Sequence, residues 1–218
     1  MIPSVQKIID RISEVFSIFD FSYFISGATT YLIVCYGLWQ YDLLQWSETK
    51  LISIPISVLF AYLCGLITFA IGKLLRKYYV RFCLGKSMDA RFRICFQTVV
   101  QYVRQEEPRL REYATVADCK LYYTEMWSFL RQCEKAGATV AFINRYWVMQ
   151  AVYEGLAASF LVGGILGVIL CSTKISFLSI LIVIISFIAF FFSCREGTRY
   201  AETQIDEIVI AYKTFRFQ

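Results

Sequence analysis

Glu154 is the one charged side chain between Val148 and Cys171, and it is where this sequence comes closest to chemistry. A charge at bilayer depth is costly and usually faces the interior of a helix bundle. Glu154 could therefore act as a gate, as a proton-sensitive latch, or as the partner of Arg145 on a neighbouring helix. The plainer alternative is that it lies only a turn deep and its carboxylate reaches the interface.

Elsewhere a reactive constellation is hard to assemble. The chain has no histidine, so the commonest general base and zinc or haem ligand is missing. Its eight cysteines show neither a CxxC nor any other metal-ligand spacing, and we read them as reduced, space-filling residues. No glycine-rich phosphate cradle and no GxSxG nucleophile elbow occurs. Glu106 and Glu107 flank Pro108 and are expected to be solvated. These features predict a protein that is not an enzyme and needs no cofactor or metal ion.

The element that must position Glu154 is the stretch RYWVMQAVYEGLAASFLVGGILGVILC, residues 145–171. Its length and apolar character predict a membrane-spanning helix with an aromatic anchor at Tyr146 and Trp147. Ala151, Gly155, Ser159, Gly163, Gly167 and Cys171 recur at every fourth position, which places them along one side of a helix. In lipid such ladders act by letting backbones approach closely. A matching arc, Ser53, Ser57, Ala61, Gly65, Thr68 and Gly72, lies on another apolar run, 51–75. The two seams could pair with each other or with a neighbouring subunit.

Composition makes a membrane location general: 58% of the residues are hydrophobic, 17% are aromatic and only 3 are proline. The fold class expected is an all-α integral membrane protein with four transmembrane helices in two hairpins and a cytoplasmic helical insert between the second and third spans. Residues 1–19 are expected to form an amphipathic helix with Lys7, Asp10, Arg11 and Glu14 on its polar side, an interfacial helix lying on the bilayer or, as the alternative, one packed on protein in a soluble layer. No cleavage signal is visible there, so the segment is expected to stay on the mature protein. The first hairpin covers 20–75, the insert 76–144, the second hairpin 145–194 and a helical tail 195–218. In the fourth span Ser172, Ser179, Ser186 and Ser193 recur every seven residues, as in a left-handed packing seam.

Within the insert, Ser87 or Asp89 can start a helix whose apolar side carries Phe92, Cys95, Phe96, Val99, Val100 and Val103. A second stretch, 116–135, carries Leu121, Tyr122, Trp127, Leu130 and Cys133. The tail offers Ile205, Ile208, Tyr212 and Phe215 at helical spacing, to pack against the insert. Only Lys50 and Lys174 of the 22 basic residues fall in the two short turns, which by the positive-inside bias puts both termini and the insert in the cytoplasm.

From Lys73 to Arg145 there are 14 lysines or arginines against 7 acidic residues. Lys73, Arg76, Lys77 and Arg81 suit anionic lipid at the membrane edge. Arg104, Arg109 and Arg111, near the Pro108 turn, are the residues we expect to dock an acidic soluble protein. Direct nucleic-acid binding is the weaker expectation, because acidic residues are interspersed and no reader motif is present.

The layout, two hairpins with the short turns DLLQWSETK and CSTK joined by a cytoplasmic helical insert, resembles the small four-span membrane subunits of bacterial anti-phage defence operons, such as those of the Kiwa type. The resemblance covers the whole chain and transfers no individual residue. It implies a homo-oligomer, taken as a tetramer, that sits in the bacterial inner membrane, senses infection and holds a soluble cytoplasmic effector. A pore-forming effector that depolarises the membrane, lined by the serines and Glu154, is the alternative.

Overall fold

The computed structural model describes residues 18–41, 53–101, 103, 115–173 and 176–217. The amphipathic helix expected over 1–19 falls outside these except for its last two residues, and so do the first turn, Arg104, Arg109, Arg111 and Lys174. The fold is all-α. Its helices are α1 (Ile18–Gln40), α2 (Ser53–Cys83), α3 (Met88–Val100), α4 (Val116–Gln132), α5 (Gly137–Thr173) and α6 (Phe177–Arg216), with a short 3-10 turn at Glu134–Ala136.

Among the described residues, α2, α5 and α6 carry the three helices long and apolar enough to cross a membrane. The 23-residue α1 is not one of them.

Local rules account for the ends. Pro55 lies in the first turn of α2, where a missing amide leaves no intrahelical bond unmade. At the other end Gly85 adopts φ +63°, and the Lys86 amide reaches back to the Val80 carbonyl at 3.4 Å, closing the helix with a left-handed residue that glycine adopts without strain. The Ser87 hydroxyl accepts from the Ala90 amide to cap α3. Thr115 and Asp118 exchange bonds in a capping box at the start of α4. Helix α5 begins at Gly137, eight residues before the expected start of the third span, because the 3-10 turn uses only Glu134–Ala136 before the helix resumes.

Two compact units divide the chain: Met1–Leu75 with Ala151–Arg195, and Arg76–Gln150 with Glu196–Gln218. In the first, α1 and the adjoining parts of α2, α5 and α6 form a bundle. Leu59, Ile67, Ile184 and Ile188 are exposed on it, the arrangement that lipid, but not water, favours.

The second unit has a core of its own. Phe96, Val99, Val100 and Val103 meet Cys119, Tyr122, Met126 and Leu130 of α4, together with Ile205, Ile208, Val209 and Tyr212 from the end of α6. Tyr212 stands edge-on to Phe129 and Tyr122, with centroids 5.3 and 6.1 Å away. The tail is therefore an integral part of this core. Leu121, expected on the apolar side of α4, is 62% exposed instead. The buried face runs through 119, 122, 126 and 130, a spacing of three and four that leaves 121 on the opposite side.

Candidate functional site in the hydroxyl-lined seam

The small-residue ladders meet inside the first unit. A Cβ on Gly65 would collide with the Tyr23 carbonyl, and one on Gly27 with the Ala61 carbonyl, so α1 and α2 touch backbone to backbone. Gly72 lies in the same way against the Glu154 carbonyl, and Gly155 against the Ser26 hydroxyl. Gly163 faces the Ser186 hydroxyl and Ile33, with its missing Cβ 3.1 Å and 3.3 Å from them, and Gly167 faces Val183. The seams of the second and third spans thus pack partly against one another, but largely against α1 and α6. These close approaches are made within one chain.

Helix α1 is the partner that the ladders alone do not reveal. Ser22, Ser26 and Thr30 stand at i, i+4 and i+8 and are all buried. The Ser159 hydroxyl donates to the Ser26 carbonyl at 2.9 Å, with the Gly155 carbonyl also in reach at 3.0 Å. It accepts in turn from the Thr30 hydroxyl at 2.7 Å. Thr68 bonds back to the Cys64 carbonyl at 2.9 Å. Most of these hydroxyl bonds go to helix backbone, and Ser159 joins α5 to α1. Such interhelical bonds contribute about 0.6 kcal/mol each in a bilayer.

Glu154 sits in this seam and is 1% exposed. The close approach permitted by Gly72 seals the backbone on its α2 side. Arg145 is exposed and belongs to the second unit. In α6, Ser179, Ser186 and Ser193 are buried while Ser172 is exposed at the end of α5. Ser186 packs on Gly163, which makes the stripe a packing surface at that level.

In the second unit, Arg91 pairs with Glu202, Lys120 with Asp89 at 2.8 Å, and Arg199 with Glu196 at 2.7 Å. Trp127 stands edge-on to Trp147 with centroids 5.2 Å apart, so it holds helices together. Among the described residues, no three Cys, Asp or Glu side chains cluster as a metal site would require. Asp206 is pushed above the ordinary carboxylate value by partial burial, and further by Glu202 and Glu207.

A carboxyl whose folded pKa is raised burdens the folded state at neutral pH, and the burden lifts as pH falls through that raised value. Asp206→Asn should therefore unfold at a higher temperature than the unaltered protein at pH 7. The gain should shrink on acidification and vanish below about pH 3.9, where aspartate is protonated in both states. A constant gain across a thermal-melting pH series would place the effect elsewhere. No family model, curated protein or solved structure matches the chain.

Proposed function

We propose that the protein is a non-enzymatic four-span membrane anchor, its spans paired as two hairpins, that holds a helical unit in the cytoplasm and docks a soluble partner there. The observation that supports this most is the contrast between the units. One exposes Leu59, Phe60, Ile67, Ile188 and Phe192, and the other gathers its apolar residues around Phe96 and Ile208 in a core of its own. The distribution of basic residues supports cytoplasmic termini. In this reading the chain self-associates in a bacterial inner membrane and serves anti-phage defence, the role that the layout resemblance implies. Because the glycine seams are filled within the chain, contacts between copies fall on the outward apolar faces.

Three measurements on the full-length protein test the proposal. An acidic partner should be captured by the protein in nanodiscs. Capture should weaken as salt rises toward physiological strength, where the screening length is about 8 Å. It should be lost on reversing Arg104, Arg109 and Arg111 to Glu. Proteoliposomes of the same protein should hold a dye gradient; leakage would replace the anchor with the channel reading. Cysteines placed at Gln45 and Thr173 should react with an external reagent in intact cells, and those at Glu107 and Gln218 should not.

A further inference from the structure

At the end of α1, the end of α5 and the start of α6, the first unit holds a cavity of about 270 Å³. Small-molecule sites begin at about 300 Å³ and an apolar cavity of about 150 Å³ takes up benzene, so this space suits one ring with its substituents. Leu170 and Leu178 give the wall its aliphatic part, and every other described lining residue carries a hydroxyl or a carboxamide. None of the described lining residues is charged.

Hydroxyls and carboxamides share one property, that each both donates and accepts hydrogen bonds. Part of that capacity is spent inside the protein. The Tyr41 and Thr173 hydroxyls share a bond at 3.3 Å, and those of Ser176 and Ser179 share one at 2.8 Å. The Tyr36 hydroxyl and the Gln40 carboxamide, by contrast, make no hydrogen bond to any described residue. The Tyr36 ring leans on Trp39 with centroids 6.1 Å apart, which holds the ring and leaves its hydroxyl to a ligand.

A charged ligand would find no counter-charge on these described walls, and a buried unpaired charge is costly. The complement is a neutral molecule whose own polar groups both donate and accept, with an apolar face to lay on an aromatic ring. A sugar ring has that make-up, with hydroxyls round its rim and C–H bonds on its faces. Tyrosines also anchor helices at membrane interfaces, but an anchor needs neither a carboxamide nor a ring of hydroxyls around a cavity.

We infer that this cavity binds the neutral sugar ring of a glycoside, with the Tyr36 hydroxyl and the Gln40 carboxamide bonding to its hydroxyls and the Tyr41 ring covering a C–H face. From Ala151, where α5 enters this unit, to Thr173 the helix rises about 33 Å, close to the thickness of a hydrocarbon core of about 30 Å. The cavity therefore lies at the level of a bilayer interface, and the sugar has two sources, the headgroup of a glycolipid or a free glycoside in the water. Which interface this is follows the topology proposed above. A nanodisc exposes both faces, so the binding test and the cysteine labelling fail independently.

Thermal unfolding of the full-length protein in phosphatidylcholine nanodiscs is the reference state. In one arm a β-glucosyl diacylglycerol is added to the nanodiscs; in the other, methyl β-glucoside is titrated into the phosphatidylcholine sample. A rise in midpoint in the first arm identifies the glycolipid, and in the second the free sugar. At about 100 times its dissociation constant a ligand shifts the folding equilibrium about 100-fold.

Tyr36→Phe and Gln40→Leu remove groups that are unbonded in the folded protein, so each should keep the ligand-free midpoint. Each should weaken binding about fivefold, the loss of one neutral hydrogen bond of about 1 kcal/mol, and the double variant more than either. No rise in either arm overturns the inference. A glycolipid response of full size in the double variant also overturns it, because it would be a property of the bilayer. An equal rise with phosphatidic acid in place of the glycolipid does so too, because the cavity would then be reading charge.

Discussion

Gly65→Val should leave no stably folded bundle in detergent, whereas Gly164→Ala should be nearly silent. At Gly65 the nearest obstacle to a side chain is the Tyr23 carbonyl, and at the reciprocal position Gly27 it is the Ala61 carbonyl. Backbone atoms have no rotamer to escape into, so α1 and α2 must separate. Separation strains the Tyr31–Ser57 contact at 3.1 Å, and any shift of α1 strains the bonds that tie it to Ser159. A cost of about 3 kcal/mol is the scale for overpacking a well-filled core, and here no flexible side chain shares the strain.

At Gly164, by contrast, an added Cβ would meet the Phe187 ring at 3.4 to 3.7 Å, ordinary contact distance. Size-exclusion profiles and melting midpoints compare the two variants directly. If Gly65→Val matched the unaltered protein in both, the crossing of α1 and α2 would have to be different from that described.

Phe96→Ala and Ile208→Ala should destabilise the second unit to comparable extents although the two residues lie more than a hundred positions apart. Both are fully buried in the same cluster. Removing a buried phenylalanine costs about 3–5 kcal/mol and a buried isoleucine about 2–5 kcal/mol, depending on how far the cavity collapses. Leu121→Ala on the exposed side of α4 should stay within about 0.5 kcal/mol. Limited proteolysis of the full-length protein reports the difference, because opening of the second unit exposes α3 and α4. If Ile208→Ala were silent while Phe96→Ala was not, the tail would have no share in the core.

Much of this arrangement could be read from the chain because the signals are local. The apolar runs of α2, α5 and α6 mark themselves by length, Gly85 ends α2, and Ser87 and Thr115 cap the helices that follow. The periodicity of Ile205, Ile208 and Tyr212 already points to one buried face. What escaped is what depends on pairing. Ser22, Ser26 and Thr30 are only small hydroxyl residues on one apolar run until α5 brings Ser159 against the last two. Leu121 is as apolar as Leu130, and only the register of α4 against α3 and α6 separates the exposed residue from the buried one. The burial of Glu154 depends on helices that the sequence does not pair. The cavity was illegible because Tyr36, Gln40, Thr173 and Ser179 come from three different helices and form no motif along the chain.

The place of the tail in the second unit's core also orders the protein's synthesis. When a ribosome has translated Ile143, the halves of that core carried by α3 and α4 already exist, but Ile205, Ile208, Val209 and Tyr212 do not. Before they emerge, the apolar stretches of α5 and α6 must be made and inserted, which takes several seconds at about 5–20 residues per second. Throughout that interval Phe96, Met126 and Leu130 lack their final cover. The nascent chain is at its most exposed to chaperones and proteases then, and the unit closes only after the last span has been threaded.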